Sequence, residues 1–396
     1  MRSSSYICLA LFLIFAACAP KNSTPLSPPG LPNDKTVVWS EKGKVSATEA
    51  QKSQVPLKDV GNIKTDVTED ALYIGGSGYL QDESLTVRQH RYQIVKLSSS
   101  GLWASILELN YGPTEPGSML FQRIVSFTIY NNTAYVLREV TPTAVQVYKV
   151  GPQNSLIKYG PELSRFVWPK IEMAFNSAGE LWLGSFSSDE GYGLYRLSQN
   201  QWKEMPLPNI GVLSGLLVDG NDVYVYGVRD KAARVFRFFG QDRWEMVFES
   251  GYVADAFSIS AMSFSALKGH LSVAVLYTNL VENKSLSRFF RKSAGVLIWE
   301  KEFEDVTPHK SVMLQGVLST DNQGFYGVTS SWHRGVKVNT FYWYKKGQEL
   351  VANRYALGEP ASTGSHSSVI FQNHLYFLHQ NTESPGIVIS DFGSLR

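Results

Sequence analysis

Five residues stand where short apolar strands run out into polar chain: Arg138, Arg229, Trp332, His333 and Arg334. A guanidinium offers several planar donors, and an indole offers a flat apolar platform beside them. That combination suits recognition of carboxylates, glycans or protein side chains. These five are the expected ligand-binding set. Arg88, His90, Asp189, Glu190, Asp230 and His379 occupy comparable stretches. Any exposed loop set holds some charges, so position relative to the strands matters more than composition.

Other chemistry finds less support. The seven His, at 90, 270, 309, 333, 366, 374 and 379, form no His-x-His or His-Glu-x-x-His pair. A metal site would need distant residues to converge, and none is expected. "GGSG" at 75–78 could suggest a phosphate loop, but no helix-forming segment follows to supply the anion-binding N-terminus. It is read as a flexible inter-strand loop. "DFG" at 391–393 is read as a hairpin turn. Only Cys8 and Cys18 exist, so Cys-based nucleophile or metal chemistry is excluded once a leader is removed. No catalytic residue and no cofactor is assigned.

The elements that must position the five residues recur along the chain. Each unit has a turn followed by a short strand with an aromatic or β-branched centre: "EDALYIGG", "NNTAYVLR", "AGELWLGS", "GNDVYVYG", "KGHLSVAV", "NQGFYGVT" and "QNHLYFLH". Aligned on Tyr73, Tyr135, Trp182, Tyr224, Ser272, Tyr326 and Tyr376, the steps are 62, 47, 42, 48, 54 and 50 residues. Another apolar strand lies upstream of each. A strand, tight polar turn and strand lie downstream, with Trp103, Trp202, Trp244 and Trp299 just after four of those turns. Four short strands per unit at this spacing predict an all-β chain: a seven-bladed β-propeller of four-stranded antiparallel blades over residues 58–396. The last unit lacks an outer strand. "KTVVWSE" at 35–41 is the β-like stretch upstream, and is expected to close the ring. In a propeller the second-to-third loops gather on one face with the links between blades, which places the five residues together.

The N-terminus gives an address. Arg2 is followed by a ten-residue apolar run from Tyr6 to Phe15, too short to span a bilayer, and this reads as a secretory signal. Residues 1–17 are the expected leader. Residues 18–57 are expected to hold Cys18, a tether and the closing strand. Residues 19–35 contain five prolines and suit a partly extended tether.

Two resemblances follow from these residues. Phe15-Ala16-Ala17-Cys18 resembles the lipobox of bacterial lipoproteins, with Phe15 where Leu is usual. It implies lipidation at Cys18, and Ala19 implies an outer-membrane destination in the cell envelope. "NSAGELWLG…GLYRLSQNQWKEM" resembles the repeats of two-component regulator propellers and, more loosely, kelch-like propellers. "AGVLIWEKEF" at 294–303 resembles a quinoprotein-type repeat, found in the propeller lipoprotein of outer-membrane protein assembly. "SSDEGYGL" at 187–194 matches the start of the sialidase Asp-box at Ser187, Asp189 and Gly191. Its following aromatic is missing, and it falls between second and third strands, so a polar loop explains it better.

Composition bounds the partners. The 396 residues are 43% hydrophobic and 18% charged, with a formal net charge of +2, enough apolar mass for a large core. No basic block is present, which argues against nucleic acid. The expected protein is an outer-membrane-anchored, non-enzymatic module that binds a protein or polysaccharide in the envelope. The alternatives are an envelope assembly scaffold or a carbohydrate-active enzyme. The latter would need two convergent carboxylates.

Overall fold

The computed structural model describes the backbone from Gln51 to Ser394, apart from connecting segments such as 56–59, 82–87, 115–122, 165–169, 188–190, 252–255, 296–299, 319–323, 346–350, 357–366 and 381–386. Side chains are described mainly between residues 63 and 295 and in part of 369–378.

Strand β1 (Gln51–Val55) comes first. The first sheet follows with β2 (Val60–Val67), β3 (Ala71–Gln81), β4 (Arg88–Ser98) and β5 (Trp103–Thr114). The second holds β6 (Ile124–Tyr130), β7 (Thr133–Thr141), β8 (Ala144–Val150) and β9 (Leu156–Ser164). The third holds β10 (Lys170–Phe175), β11 (Leu181–Ser187), β12 (Gly191–Ser198) and β13 (Gln201–Glu204). The fourth holds β14 (Val212–Asp219), β15 (Asp222–Arg229), β16 (Ala232–Gly240) and β17 (Arg243–Glu249). The fifth holds β18 (Ser258–Leu267), β19 (His270–Asn279), β20 (Lys284–Lys292) and β21 (Glu300–Thr307). Then come β22 (Ser311–Leu318), β23 (Gly324–His333), β24 (Val336–Lys345) and β25 (Val351–Ala356). The last group is β26 (Ser367–Phe371), β27 (His374–Gln380) and β28 (Ile387–Ser394), with β1 added beside β28.

All strands pair as antiparallel meanders within four-stranded sheets. First strands neighbour one another in succession, β2 with β6, β6 with β10, β10 with β14, β14 with β18, β18 with β22, β22 with β26, and β26 with β2. Inner strands touching around an axis make this a β-propeller.

Seven blades are expected from the sequence; the count is corrected to five blades of one construction, the remaining two four-stranded sheets being built differently. In the first five sheets the aligned second-strand residue sits opposite a cation on the third strand: Tyr73 with Lys96, Tyr135 with Lys149, Trp182 with Arg196, Tyr224 with Arg237, and Ser272 with Arg291. In the remaining two sheets, Tyr326 faces Trp343 and Tyr376 faces Asp391. The physical reason is that recurrence of an aromatic strand counts only backbone pairing. A blade with a common build also needs its cross-strand partners to repeat.

The closing strand is corrected too. The partner of β28 is Gln51–Val55, with Ser53 opposite Ile389, while 35–41 lies outside the described residues. "QKSQV" is polar, as an outermost strand can be, so a search for apolar alternation passes over it. Asp391 to Gly393 is no hairpin turn but lies inside β28. Gly75 to Gly78 likewise lie inside β3 rather than in a loop. Gly75 is needed there because a Cβ would come 2.7 Å from the Phe127 ring of the next sheet.

Apolar faces of adjacent sheets form the core. Ala71, Tyr73 and Ile94 meet Phe127 and Val136 between the first and second sheets. Leu137 and Val147 meet Ile171 and Leu183 between the second and third. Trp182 and Leu194 meet Leu216 and Val225 between the third and fourth. Val235 and Phe248 meet Val273 and Val275 between the fourth and fifth. Leu72 and Ile74 meet Val369 and Leu378 across the seam. Each fully buried side chain of this size is worth about 1.5–3 kcal/mol relative to exposure. Two of the recurring Trp residues act as hydrogen-bonded ties. Trp202 donates its indole N–H to the Pro161 carbonyl (2.8 Å), and Trp244 donates to the Pro206 carbonyl (2.7 Å). Each bond ties an outer strand to the chain of the unit before it or the link leading into its own. Among the described residues no helix is long and apolar enough to cross a membrane.

Candidate ligand-binding face

A meander gives each sheet two unlike ends. First-to-second and third-to-fourth connections fall at one end, the turn end. Second-to-third connections and the links between sheets fall at the other, the loop end. Neighbouring inner strands run the same way: Asp66, near the end of β2, meets Thr128 and Ile129 near the end of β6. Like ends of different sheets therefore share a face.

The turn end is closed by two-residue turns. Asn131–Asn132, Gln199–Asn200, Gln241–Asp242 and Lys268–Gly269 all have positive φ at both central positions, the conformation that matches strand twist. Carboxylates there accept backbone N–H groups from the next sheet. Asp66 accepts from Ile129 (2.7 Å) and from the Thr128 hydroxyl (2.9 Å), and burial pushes its carboxyl up. Asp219 accepts from Lys268 (3.1 Å) and Gly269 (2.8 Å). Ser177 donates its N–H to the Gly220 carbonyl at 2.8 Å. Deeper in, Glu172 accepts the Leu216 N–H, and Lys64 donates to the Ser126 hydroxyl (3.1 Å) and the Ile171 carbonyl.

The loop end holds the expected site residues. Arg138 lies in β7 opposite Ile124, the first residue of β6. Arg229 ends β15, one position beyond Val228, which faces the first residue of β14. Trp332 and His333 end β23, opposite Lys337 and Val336. Arg334 lies outside the described residues, as do Asp189, Glu190 and Cys18. Backbone register thus sets four of the five at the loop end of their sheets. No described contact joins Arg138 to Arg229. Arg229 instead donates from Nε to its neighbour Asp230 (3.2 Å), and 40% of its side chain is exposed. The second-to-third connection of the fourth sheet is itself a two-residue turn at Asp230–Lys231, not an extended loop.

Sequence reasoning missed a carboxylate beside this set. Glu139, next to Arg138, is 5% exposed and accepts from Arg123 Nε at 2.9 Å. Its own N–H bonds the Arg123 carbonyl at 3.0 Å. Burial raises its carboxyl to about 7, against the opposing pull of Arg123. The signal was present: in Tyr135, Leu137, Glu139 the inward-facing alternation of β7 is broken by a charge. The sequence also concealed a surface cavity of about 410 Å³ lined by Tyr192, Leu194, Glu204, Met205, Pro206 and Leu207. It too opens at the loop end, where β12 starts and β13 finishes.

Ser187 and Gly191 face each other across the mouth of the β11–β12 connection. That is a second-to-third position, unlike the third-to-fourth turn an Asp-box needs. His90 sits within β4, His270 accepts the Ala294 N–H at 3.3 Å, and His374 stacks near Tyr376 with centroids 6.0 Å apart. Among the described residues no three His, Cys, Asp or Glu are grouped to hold a metal ion.

No protein-family model and no curated protein matches the chain. Solved structures similar to it include the polysaccharide lyase Uly1, at 11% identity, covering 86% of this chain and 90% of that one, with a TM-score of 0.48. The WD40 domain of SCAP from fission yeast is 10% identical, with 88% and 99% covered and a TM-score of 0.46. TolB from Acinetobacter baumannii is 11% identical, with 81% and 79% covered and a TM-score of 0.34. These likenesses carry no argument about activity; the propeller is established by the strand pairing and neighbours of this chain itself.

Proposed function

We propose that the chain is an envelope lipoprotein, lipidated at Cys18 and held at the outer membrane by a Pro-rich tether, whose propeller binds a protein or glycan through its loop end. The binding set is Arg138, Arg229, Trp332, His333 and Arg334. The observation that supports this most is the asymmetry of the two ends. At the turn end, Asp66 and Asp219 bond the backbone of the next sheet beside two-residue turns. At the loop end, cationic and aromatic positions from three sheets lie within two residues of the level at which the first strand of their sheet begins. Strands that carry cationic and aromatic positions at one end favour recognition over chemistry that needs convergent acid and base groups.

Affinity purification of the native lipidated protein from envelopes tests the reading, with the double variant Trp332→Ala, Arg334→Ala alongside. The wild type should recover a defined protein or polysaccharide that the variant loses. Recovery of the same material by both would refute the assigned face. The anchor is tested separately: Cys18→Ser should give an uncleaved or soluble form. A processed, membrane-bound Cys18→Ser protein would refute lipidation.

A further inference from the structure

We infer that the cavity lined by Tyr192, Leu194, Glu204, Met205, Pro206 and Leu207 is a subsite for a basic side chain, lysine or arginine, of a protein partner. The inference rests on reading the loop end as a recognition surface, and it adds a second site whose charge is opposite to that of the arginine set.

The floor of the cavity is apolar and fixed. Leu194 is fully buried and Met205 is 2% exposed. The Met205 N–H bonds the Leu194 carbonyl at 2.8 Å, and the Pro206 carbonyl is held by the Trp244 indole. Above these buried residues the exposed Pro206 and the half-buried Leu207 give the apolar surface on which a long aliphatic stem could lie. The half-buried Tyr192 adds an aromatic ring to the same lining, and an aromatic face attracts a cation. At the rim stands Glu204, the one charged residue in the lining.

Glu204 has no basic partner among the described residues. Several carboxylates on adjoining strands and turns do hold one: Asp222 pairs with Arg237 (2.6 Å), Asp242 with Lys203 (2.5 Å), Glu249 with Arg234 (2.7 Å), and Glu180 with Arg196 (3.7 Å). The groove therefore presents an apolar trough ending in an unpaired anion. A lysine or arginine matches both parts, laying its stem on the trough and its charge at the rim. A neutral apolar side chain would satisfy the floor alone, and a carboxylate would be repelled. A pyranose would need donors and acceptors distributed around its ring, and the lining side chains offer only the Tyr192 hydroxyl and Glu204.

The test uses the full-length protein in detergent with methyl-labelled methionine, so that the Met205 methyl reports occupancy. The probes are acetyl-Ala-Leu-Lys-Leu-Ala-amide and the same peptide with norleucine for lysine. The lysine peptide should shift the Met205 resonance and bind at least about threefold more tightly than the norleucine peptide, the scale of an exposed ion pair. Glu204→Gln should erase that preference. Because Glu204 is exposed and unpaired, the variant should keep the wild-type fold, checked by unchanged resonances for the other methionines. Equal binding of the two peptides, a preference that survives Glu204→Gln, or a Met205 shift produced only by a glucose oligomer would each overturn the subsite. Loss of envelope partner in the Trp332→Ala, Arg334→Ala variant is read separately. A failed peptide test with that loss intact sinks the subsite and leaves the broader recognition surface standing.

Discussion

The turn end and the loop end are built from the same strands and both hold ion pairs within a sheet, such as Asp222 with Arg237 at the turn end, but the described carboxylates that bond the next sheet's backbone near a sheet end lie at the turn end. At the turn end Asp66 and Asp219 accept backbone N–H groups from the next sheet. At the loop end Glu139 and Glu249 take arginines from their own sheet, Arg123 and Arg234. The first arrangement locks one sheet to another, because a backbone N–H cannot move away from its strand. The second ties a carboxylate only to a side chain of its own sheet. On the proposed reading, stability and recognition are divided between the two faces of one propeller.

Breaking the turn end should produce the largest effect. In Asp66→Ala, the Ile129 N–H and the Thr128 hydroxyl lose their acceptor between two sheets. A loss of about 2–4 kcal/mol is expected, from an orphaning cost of roughly 1–3 kcal/mol per buried donor. Urea denaturation measures it, and a loss below about 1 kcal/mol would remove the case for locking. The loop-end carboxylate should show itself through pH instead. Glu139 is raised from its ordinary 4.5 to about 7 in the folded protein. Its folded form binds a proton that the unfolded chain has released. Its contribution is therefore complete below about pH 4.5 and is lost as pH rises through about 7. The stability difference between wild type and Glu139→Gln should tilt against the wild type across that window, by at most about 1.4 kcal/mol per pH unit. A flat difference would contradict the buried carboxyl.

Smaller effects sharpen the division. Trp244→Phe keeps the ring but deletes its bond to the Pro206 carbonyl, and should cost about 0.5–1.5 kcal/mol. Arg229→Ala, at the loop end, should change stability by less than about 0.5 kcal/mol, since its partner is only the exposed Asp230. A larger loss there would blur the boundary between the ends.

Much of the fold was legible because repetition is a property of the chain. Tyr73, Tyr135, Trp182 and Tyr224 recur at blade spacing, and each sits buried on a second strand. Their third-strand cations were equally visible as Lys96, Lys149, Arg196 and Arg237, but only pairing register reveals that they face the aromatics. The closing strand was hidden by its polarity, and Asp391 to Gly393 looked like a turn because local propensity yields to pairing across β27 and β28. The site was less legible. The loop-end position of Arg138 and Arg229 could be read from their place after strand centres, whereas Glu139 needed an inward face to be known. The cavity at Met205 needed two elements to meet in space.

The central claim is that recognition belongs to the loop end alone, and a matched pair of variants tests it most directly. The turn end carries its own aromatic and arginine, Phe239 at 62% exposure with Arg243 set 5.9 Å over its ring. Partner recovery from envelopes should be measured for Phe239→Ala, Arg243→Ala beside Trp332→Ala, Arg334→Ala, with both proteins folded. The account predicts wild-type recovery for the turn-end pair and loss for the loop-end pair. Loss with the turn-end pair, or full recovery with the loop-end pair, would contradict it.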